Sequence, residues 1–410
     1  MATLIRNILK LYTPDEPHGY GAVKEIVNPQ ILIQDGKIRE VFAGTELPSE
    51  IKADTVLDGG GCCVLPGFVD AHTHPVFWKT REQEFMMRLA GKSYEEIAAA
   101  GGGIRNSARN FQNAGKEDIK QVTVGRLGVF LEYGTTTIEA KSGYGLSLAD
   151  ELKSLEIVAE LNREQPLEMV PTFLGAHEIP DAYRDRREEY IRLVVEEMIP
   201  QVARRGLAEY CDVFCEKGVF TVEESRTILE AGQRSGLRSR IHADELHASG
   251  GAELAAEIHA VTADHLLKVS EQGITSLLHA GVIAVLLPLT TLFLRKNKFA
   301  PARTFIKQGC PVALATDFNP GSSMSQNMQL VWSIAALKMG LFPGELLWST
   351  TLIPARSLNR ADQTGSIDRG KQADLIFLNI PNLEYLPYHM GINHVMMTMK
   401  KGKIVFNKNQ

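Results

Sequence analysis

Apolar runs of strand length recur through the middle of the chain, and several of them end in a histidine or an aspartate. These runs are 68–71 before His72, 169–176 before His177, 239–241 before His242, 260–264 before His265, and 311–316 before Asp317. A segment compatible with a helix follows each run. Strands that alternate with helices predict a parallel sheet, so we expect the middle of the chain to be α/β.

A closed (β/α)8 barrel would bring the ends of these runs together. In that fold the C-terminal ends of all strands meet at one rim, and the active site lies there. Core packing gives no reason for five separate strands to carry histidine or aspartate at the same end. We therefore predict a TIM-like (β/α)8 barrel whose rim collects the polar residues that follow the five runs.

The first run carries the strongest chemical signal, because it ends in His72-Thr73-His74. Side chains alternate between the two faces of a strand, so residues two apart point the same way. Two neutral imidazoles at that spacing suit zinc, iron and other borderline divalent metals. Taken alone, the pair is equally compatible with two polar residues at a strand end.

The two ends of the chain resemble each other and differ from the middle. Residues 1–65 consist of short alternating runs, including a predicted hairpin that turns at Asp35-Gly36. We expect 1–65 and 365–410 to form one small β-sandwich domain, and 66–364 to form the metal-dependent barrel. The strands predicted in the tail are 373–378, 395–399 and 404–406, with a turn at 401–403.

The composition is that of a globular enzyme and narrows the possible partners. Of the 410 residues, 44% are hydrophobic and 23% are charged, and the formal net charge is −5. This acidic balance argues against a nucleic-acid or anionic-membrane surface. No apolar run approaches the roughly 20 residues that a membrane span requires, and no signal-peptide pattern is expected at the start. Five cysteines without a paired CxxC framework favour free thiols in the cytoplasm.

A polar segment, Asn319 to Ser323, follows Asp317 and opens a helix predicted over 328–339. Free backbone amides at a helix N-terminus bind anions well, whereas a serine there often caps the helix. Both roles are open for this segment.

Seven motifs lie at 66–74, 141–145, 173–177, 242–245, 263–265, 315–322 and 365–374, and the resemblance that they carry covers nearly the whole chain. They resemble the motifs of the amidohydrolase superfamily and, within it, of the imidazolonepropionase family of histidine degradation. The first and the last motif are common to the superfamily. The sequences KSGYG at 141–145, GAH at 175–177 and DFNPGS at 317–322 narrow the resemblance to the family.

The resemblance implies a site for one metal ion, Zn(2+) or Fe(3+). Its ligands would be His72, His74, His242 and Asp317, which leave an open position for water. Other superfamily members carry a strand-borne lysine that bridges two metals after carboxylation. Lys141 is the nearest candidate for such a lysine, but it belongs to the KSGYG motif, so a single metal is favoured.

The resemblance also implies the reaction. A metal-activated water hydrolyses the ring C–N amide bond of 4-imidazolone-5-propanoate and yields N-formimino-L-glutamate. Either Asp317 or His265 takes the proton of the water, and Glu245 passes a proton to the leaving nitrogen. The alternative for Glu245 is an acidic residue at a helix start, stabilised by the helix dipole. His177 is expected to stabilise the developing oxyanion.

The propionate of that substrate requires a cation in the pocket. Arg81 follows the His-x-His strand closely and is the first candidate, because a guanidinium binds a carboxylate through two hydrogen bonds. Arg105 is a second candidate. The other expected substrate contacts are Tyr144, His177, Glu245 and, for the new α-carboxylate, Asn319, Gly321 and Ser322.

Two other functions remain open at this point. A one-metal amidohydrolase that deaminates a related heterocycle would use the same ligands and the same glutamate, but a neutral ring needs no cation such as Arg81. A non-catalytic scaffold would have lost metal ligands, whereas every expected ligand position is filled here. The resemblance further implies a homodimer that acts on a small molecule.

Overall fold

The computed structural model describes residues 2–44, 52–92, 96–97 and 100–409, and these residues form two sheets. The first sheet is built from the two ends of the chain. It contains β1 (Ala2–Pro14), β2 (Val23–Val27), β3 (Gln30–Gln34), β4 (Lys37–Phe42), β5 (Thr55–Pro66), β14 (Leu375–Leu378), β15 (Val395–Lys400) and β16 (Lys403–Asn407). The second contains β6 (Phe68–Asp70), β7 (Thr135–Lys141), β8 (Glu168–Ala176), β9 (Tyr210–Cys215), β10 (Arg238–Ala243), β11 (Thr262–His265), β12 (Ile283–Leu286) and β13 (Val312–Leu314).

The second sheet is an all-parallel barrel in which β6 to β13 lie in chain order. Its first and last strands meet just beyond their C-terminal ends. There, the amide of Asp317 donates to the carbonyl of His72 at 3.0 Å, and the amide of His74 donates to the carbonyl of Phe318 at 2.9 Å. The predicted TIM-like (β/α)8 barrel is therefore confirmed, and the two bonds that close it involve three of the four candidate metal ligands.

Helices cover the outside of the barrel. Apolar side chains such as Phe173, Met198 and Trp332 fill the space between strands and helices. The α-helices are Glu82–Leu89, Ile104–Gln112, Lys116–Glu132, Leu148–Glu164, Arg187–Arg192, Ile199–Arg204, Val222–Arg234, Gly251–Glu257, Glu271–Ala280, Pro288–Phe293, Ala302–Gln308, Met328–Met339, Pro343–Thr350, Leu352–Ser357 and Tyr385–Tyr388. A π-helical stretch spans Leu193–Met198, and 3-10 turns span Glu16–His18 and Asp181–Tyr183.

The inside of the barrel departs from the usual apolar filling by branched side chains. Strand β7 reads Thr-Thr-Thr-Ile-Glu-Ala-Lys and is buried along its whole length. β-Branched threonines suit a strand, but Glu139 and Lys141 place two charges in the interior. Arg240 of β10 reaches across to Glu139, with 2.9 Å between its Nε and Oε1. The barrel core is thus partly ionic.

Both ends of the chain share the other sheet, as predicted. Strand β5 lies between β1 and β14, so the N-terminal and C-terminal strands are direct neighbours. The hairpin of β3 and β4 turns at Asp35 and Gly36, whose φ angles are 52° and 78°. The sheet curls so that Gly36 packs against Gly402 in the turn between β15 and β16. The domain boundaries at 65/66 and 364/365 remain a prediction.

The helix predicted over 328–339 is present as Met328–Met339, but its start differs from the prediction. The side chain of Asn327 caps it by accepting from the amide of Leu330 at 3.0 Å. The prediction that Asn319 to Ser323 opens this helix is therefore wrong, because four residues separate Ser323 from Met328. Among the described residues, no helix combines the length and apolarity that crossing a membrane requires.

Candidate active site

A cavity of about 490 Å³ opens at the C-terminal ends of the barrel strands. Residues from the ends of all five apolar runs line it, together with residues of the loops above them. The lining consists of His74, Arg81, Ile104, Tyr144, His177, Phe214, His242, Glu245, Leu246, His265, Leu294, Asp317, Asn319 and Ser322.

The four predicted metal ligands converge at the bottom of this cavity. The Nε2 atoms of His72 and His74 lie 3.3 Å apart, and Oδ1 of Asp317 lies 3.5 Å and 3.6 Å from them. The ring of His242 is centred 4.5 Å from that of His72, and the three histidines offer ligand atoms within 4.8 Å of one another. Three imidazoles and one carboxylate form a donor set typical of catalytic metal sites.

His72 and His74 are in the form that binds a metal. Burial, and then the charge of Lys141, hold the pKa of His72 well below its ordinary value. Burial, and then His177, do the same for the pKa of His74. Both rings are therefore neutral at physiological pH and keep a lone pair for a metal. The donor set fits a divalent metal ion.

Two buried aspartates orient two of these rings. Oδ2 of Asp264 accepts from Nδ1 of His72 at 2.6 Å, and Oδ2 of Asp212 lies 3.0 Å from Nδ1 of His242. A proton on Nδ1 leaves the lone pair on Nε2, which faces the other ligands. Such carboxylate–histidine pairs accompany metal sites widely. Sequence reasoning missed both aspartates, although Asp264 lies in the 263–265 motif; Asp212 lies in none.

The backbone of Asp317 is strained, and a neighbour that the sequence did not reveal holds its side chain. Its φ angle is 52°, in the left-handed region that residues other than glycine adopt uncommonly. Oδ2 accepts from the hydroxyl of Thr290 at 2.6 Å, which leaves Oδ1 to face the histidines. Burial raises the pKa of Asp317 to about 6.

His265 and Glu245 lie side by side on the rim. Nδ1 of His265 is 3.7 Å from Oε1 of Glu245, and the His265 ring is centred 5.1 Å from that of His242. Within the described part of the chain, neither ring nitrogen of His265 has a hydrogen-bond partner. Burial lowers the pKa of His265 well below its ordinary value and raises that of Glu245 to about 8. A neutral base and a protonated acid thus flank the ligands.

The KSGYG motif forms a loop that places Tyr144 against His177, with 5.4 Å between the ring centroids. The carboxylate of Glu151 organises this loop by accepting from the amides of Gly143, Gly145 and Leu146 at 3.0, 2.8 and 2.8 Å. Nδ1 of His177 lies 2.9 Å from the carbonyl of Gly143. Since a carbonyl only accepts, Nδ1 carries the proton.

Arg81 lines the cavity and is 8% exposed, so its guanidinium is available to a bound molecule rather than to bulk water. Its Nε lies 3.6 Å from Oε2 of Glu84. Gly321 packs directly against the guanidinium, and any side chain at that position would overlap it. The carbonyl of Gly321 in turn accepts from Nη2 of Arg88 at 3.1 Å. The second candidate cation, Arg105, pairs with Asp181 at 3.6 Å instead.

Asn319 organises the segment that follows Asp317. Its Oδ1 accepts from the amides of Gly321 and Ser322, both at 2.8 Å, and its Nδ2 donates to the hydroxyl oxygen of Ser322 at 2.8 Å. The two amides are thus bonded within the loop. The side chains of Asn319 and Ser322 nevertheless line the cavity.

Residues 63–405 match the sequence model described as the amidohydrolase family. The chain belongs to the amidohydrolase family. As members of that family do, it hydrolyses C–N bonds. The family implies a divalent metal ion, and His72, His74 and His242 are placed so that they could hold one. A non-catalytic scaffold is therefore excluded.

Relatives of the chain within the amidohydrolase family span almost its whole length. The imidazolonepropionase of Geobacillus kaustophilus (strain HTA426) is 47% identical over 93% of this chain and 91% of the relative. The imidazolonepropionase of Alkaliphilus metalliredigens (strain QYMF) is 44% identical over 99% of this chain and 98% of the relative. An adenosine deaminase structure from Xanthomonas campestris with bound Zn has a TM-score of 0.73 at 19% identity, covering 99% of this chain and 93% of that one. This last likeness concerns the fold alone.

Proposed function

We propose that the chain acts as an imidazolonepropionase, which hydrolyses the ring C–N amide bond of 4-imidazolone-5-propanoate to give N-formimino-L-glutamate in L-histidine degradation. The observation that carries the proposal is the placement of Arg81 in the same cavity as the metal ligands. A substrate with a carboxylate on one side and an amide on the other matches a cavity with a cation on one side and a metal site on the other. Relatives of that name at 44% and 47% identity support it.

His72, His74, His242 and Asp317 hold the metal. When bound there, a metal ion lowers the pKa of a coordinated water toward neutrality and polarises the carbonyl under attack. We propose Zn(2+) or Fe(3+), because imidazole and carboxylate ligands accept both. Asp317 or His265 accepts the proton of the attacking water. The neutral ring of His265, with both nitrogens buried, supports it as a proton acceptor.

Arg81 binds the propionate, and Gly321 leaves room for its guanidinium. Tyr144 covers the substrate from the loop that Glu151 holds. Asn319, Gly321 and Ser322 hold the new α-carboxylate through the Asn319 amide and the Ser322 hydroxyl. The backbone amides of Gly321 and Ser322 contribute only if Asn319 releases them.

The tautomer of His177 suggests a role other than the expected oxyanion stabilisation. Its proton lies on Nδ1 and faces Gly143, and burial lowers its pKa to about 3. The ring is therefore neutral, and Nε2 is an acceptor that cannot donate to an oxyanion. We assign to His177 the binding of a substrate ring N–H.

Glu245 supplies the proton that the leaving nitrogen needs. Burial, and then the nearby carboxylate of Asp317, raise its pKa to about 8, so the acid holds its proton at neutral pH. A general acid works best when its pKa lies near the operating pH. Its place on the cavity wall beside His265 supports a transfer to substrate rather than a surface role.

The expected cytoplasmic location and homodimer are part of the proposal. Five buried free cysteines agree with a reducing compartment. Helix Glu82–Leu89 exposes Met86 and Leu89, which offers apolar surface for a second copy. Light scattering after size exclusion would separate a dimer from a monomer.

An anaerobic assay with freshly generated 4-imidazolone-5-propanoate tests the function. The ultraviolet absorbance of the ring should disappear with metal-loaded protein and persist with a chelator-treated sample. Equal turnover by the chelator-treated sample would contradict a metal-dependent reaction. If metal-loaded protein leaves this substrate intact, the activity belongs to a related heterocycle, and deamination becomes the leading alternative.

A further inference from the structure

Five charged side chains lie inside the barrel directly beneath the metal ligands, and all five are fully buried. We call them the interior charge cluster. Its members are Glu139, Lys141, Asp212, Arg240 and Asp264. Burying isolated charges costs several kcal/mol each, so such a cluster persists only where its members pair with one another. Within the described part of the chain, the cluster's side chains contact the cavity lining at His242, and the proposed reaction uses none of its members as acid, base or substrate contact.

Lys141 is the centre of the cluster. Its Nζ lies 2.6 Å from Oδ2 of Asp212, 2.8 Å from Oε1 of Glu139 and 3.6 Å from Oδ2 of Asp264. An ammonium group has three N–H donors, and here three carboxylates from three different strands surround it. Burial lowers the pKa of Lys141, but Asp212, Glu139 and Asp264 more than offset this and raise it above the ordinary value. A carboxylated Lys141 would instead place a fourth negative group among three.

The carboxylate oxygens that Lys141 contacts are the same ones that face the metal ligands. Oδ2 of Asp212 lies 3.0 Å from Nδ1 of His242, and Oδ2 of Asp264 accepts from Nδ1 of His72 at 2.6 Å. One ammonium therefore reaches two ligands on opposite sides of the site, through two carboxylates. Arg240 is the second cation of the cluster. Its Nε lies 2.9 Å from Oε1 of Glu139, and its Nη2 lies 3.8 Å from Oδ2 of Asp264.

We propose that Lys141 is a positioning residue for the metal centre, which fixes the rings of His242 and His72 by holding Asp212 and Asp264 in place. The inference rests on the proposed metal site. Without the ammonium, the formal net charge of the cluster changes from −1 to −2. The carboxylates of Asp212 and Asp264 also lose the group that holds them together. The rings would then lose their fixed orientation, and metal would leave faster.

The chain contains a matched control for this idea. Lys400 is also buried, at 3% exposure, and its Nζ lies 2.8 Å from Asp374 and 3.2 Å from Glu168. It lies at the opposite end of the barrel, where it donates to the hydroxyl of Thr137 near the start of β7. Lys141→Met and Lys400→Met each remove a buried ammonium that lies within 3.2 Å of two carboxylates, but only Lys141 lies next to the ligands.

The test measures the rate at which zinc leaves each protein for a chromophoric chelator at fixed pH, together with the melting temperature of the metal-free form. Lys141→Met should lose zinc about 10- to 100-fold faster than native protein, the usual effect of removing an outer partner of a ligand. Lys400→Met should lose zinc at the native rate, although both variants melt earlier. If the two variants lose zinc equally fast, Lys141 serves stability only and the proposal fails.

A second pair of variants keeps the proposal testable if Lys141→Met does not fold. Asp212→Asn interrupts the link to His242, and Asp374→Asn makes the same change beside Lys400. Only Asp212→Asn should speed zinc loss.

Where Lys141→Met does fold, its effect should shrink in the Asp212→Asn background, because both substitutions interrupt one link. Additive effects would contradict the proposal, whereas native protein that binds no zinc would instead overturn the proposed function.

Discussion

Arg81 is the residue on which substrate choice depends most. Its guanidinium is nearly buried in the cavity wall and faces the space where the propionate would lie. Arg81→Ala should raise KM about 100-fold while metal stays bound, because losing one partner of a desolvated charge pair costs about 2–5 kcal/mol. Arg105→Ala is the control, since Arg105 pairs with Asp181 outside the cavity lining. Equal KM values for native protein and Arg81→Ala would remove Arg81 from the binding site.

His265 is expected to act on the attacking water without holding the metal. Its ring lies beside His242, yet the four converging ligand groups do not include it. His265→Ala should lower kcat about 100- to 10,000-fold, the usual effect of removing a general base. Metal content by mass spectrometry should stay at the native level. Loss of metal from this variant would make His265 a ligand and contradict its assigned role.

Glu245 should make the metal-free protein less stable as the pH rises. Burial raises its pKa from 4.5 to about 8. The folded protein keeps a proton that the unfolded chain releases, so this contribution is fully present below pH 4.5 and is lost by about pH 8. The melting temperature of metal-stripped Glu245→Gln should therefore fall less steeply between pH 5 and 8 than that of native protein. Some slope should remain, because burial also raises the pKa of Asp70 to about 7. An unchanged slope would show that Glu245 ionises normally.

At the residue scale, the sequence indicates the functional side chains that follow apolar strands. It does not indicate the side chains that act through contacts across the barrel. His242 and Asp317 stand at the ends of clear runs. Asp212 lies within β9 between apolar neighbours and has no local signal, and Thr290 begins no recognisable motif. Their contacts arise only when the barrel closes and brings distant segments of chain together.

At the scale of an element, the loop that carries Tyr144 depends on one carboxylate from the following helix, Leu148–Glu164. Glu151 accepts three backbone amides of that loop, and Leu146 within it has a φ angle of 51°. Glu151→Gln offers one acceptor oxygen instead of two. It should lower the free energy of unfolding by about 2 kcal/mol and raise KM, because buried amides lose their partner.

Thermal denaturation and steady-state kinetics would check this prediction together. Glu160→Gln on the partly exposed side of the same helix is the control, since Glu160 pairs, within the described residues, with Lys116 and Lys120 near the surface. Surface pairs of this kind contribute little. A Glu151→Gln variant with native KM and native melting temperature would show that the loop holds its shape without the carboxylate.

The helix Met328–Met339 could be predicted from the sequence, but its capping residue could not. The sequence predicted Met328–Met339 as a helix, but assigned its start to the segment at Asn319. That segment is a loop folded around the Asn319 side chain, and Asn327 provides the cap. Asparagine, serine and glycine favour both loops and helix caps, so composition alone does not separate the two.

At the scale of the whole molecule, the metal site joins distant parts of the barrel. The proposed ligands follow β6 and β13 and lie at the end of β10, so an ion bound by them would link the first, fifth and last strands. A ligand that binds only the folded state adds about 2.7 kcal/mol at a free concentration 100 times its Kd. Zinc should therefore raise the melting temperature of chelator-treated protein.

Magnesium at the same concentration is the control for this prediction, because it prefers oxygen ligands in octahedral geometry. It should leave the melting temperature unchanged. A protein that zinc does not stabilise, or that both ions stabilise equally, would not contain the predicted nitrogen-rich site.

The architecture could be predicted from the sequence more fully than the contacts among side chains inside the barrel. Alternating strand and helix segments predict the parallel barrel, and the similar textures of the two ends predict their common sheet. The charges inside the barrel could not be predicted in the same way. Arg240 and Glu139 are brought together only by the curvature of the sheet, which places β7 and β10 on facing walls.

The most direct test of the proposed function is the fate of 4-imidazolone-5-propanoate in water enriched with oxygen-18. Metal-loaded protein should convert it to N-formimino-L-glutamate that carries one labelled oxygen in its new carboxylate, with no release of ammonia. Mass spectrometry reads the label, and an enzymatic ammonia assay checks the second point. Ammonia released from the substrate, or an unlabelled product, would contradict hydrolysis of the ring C–N bond.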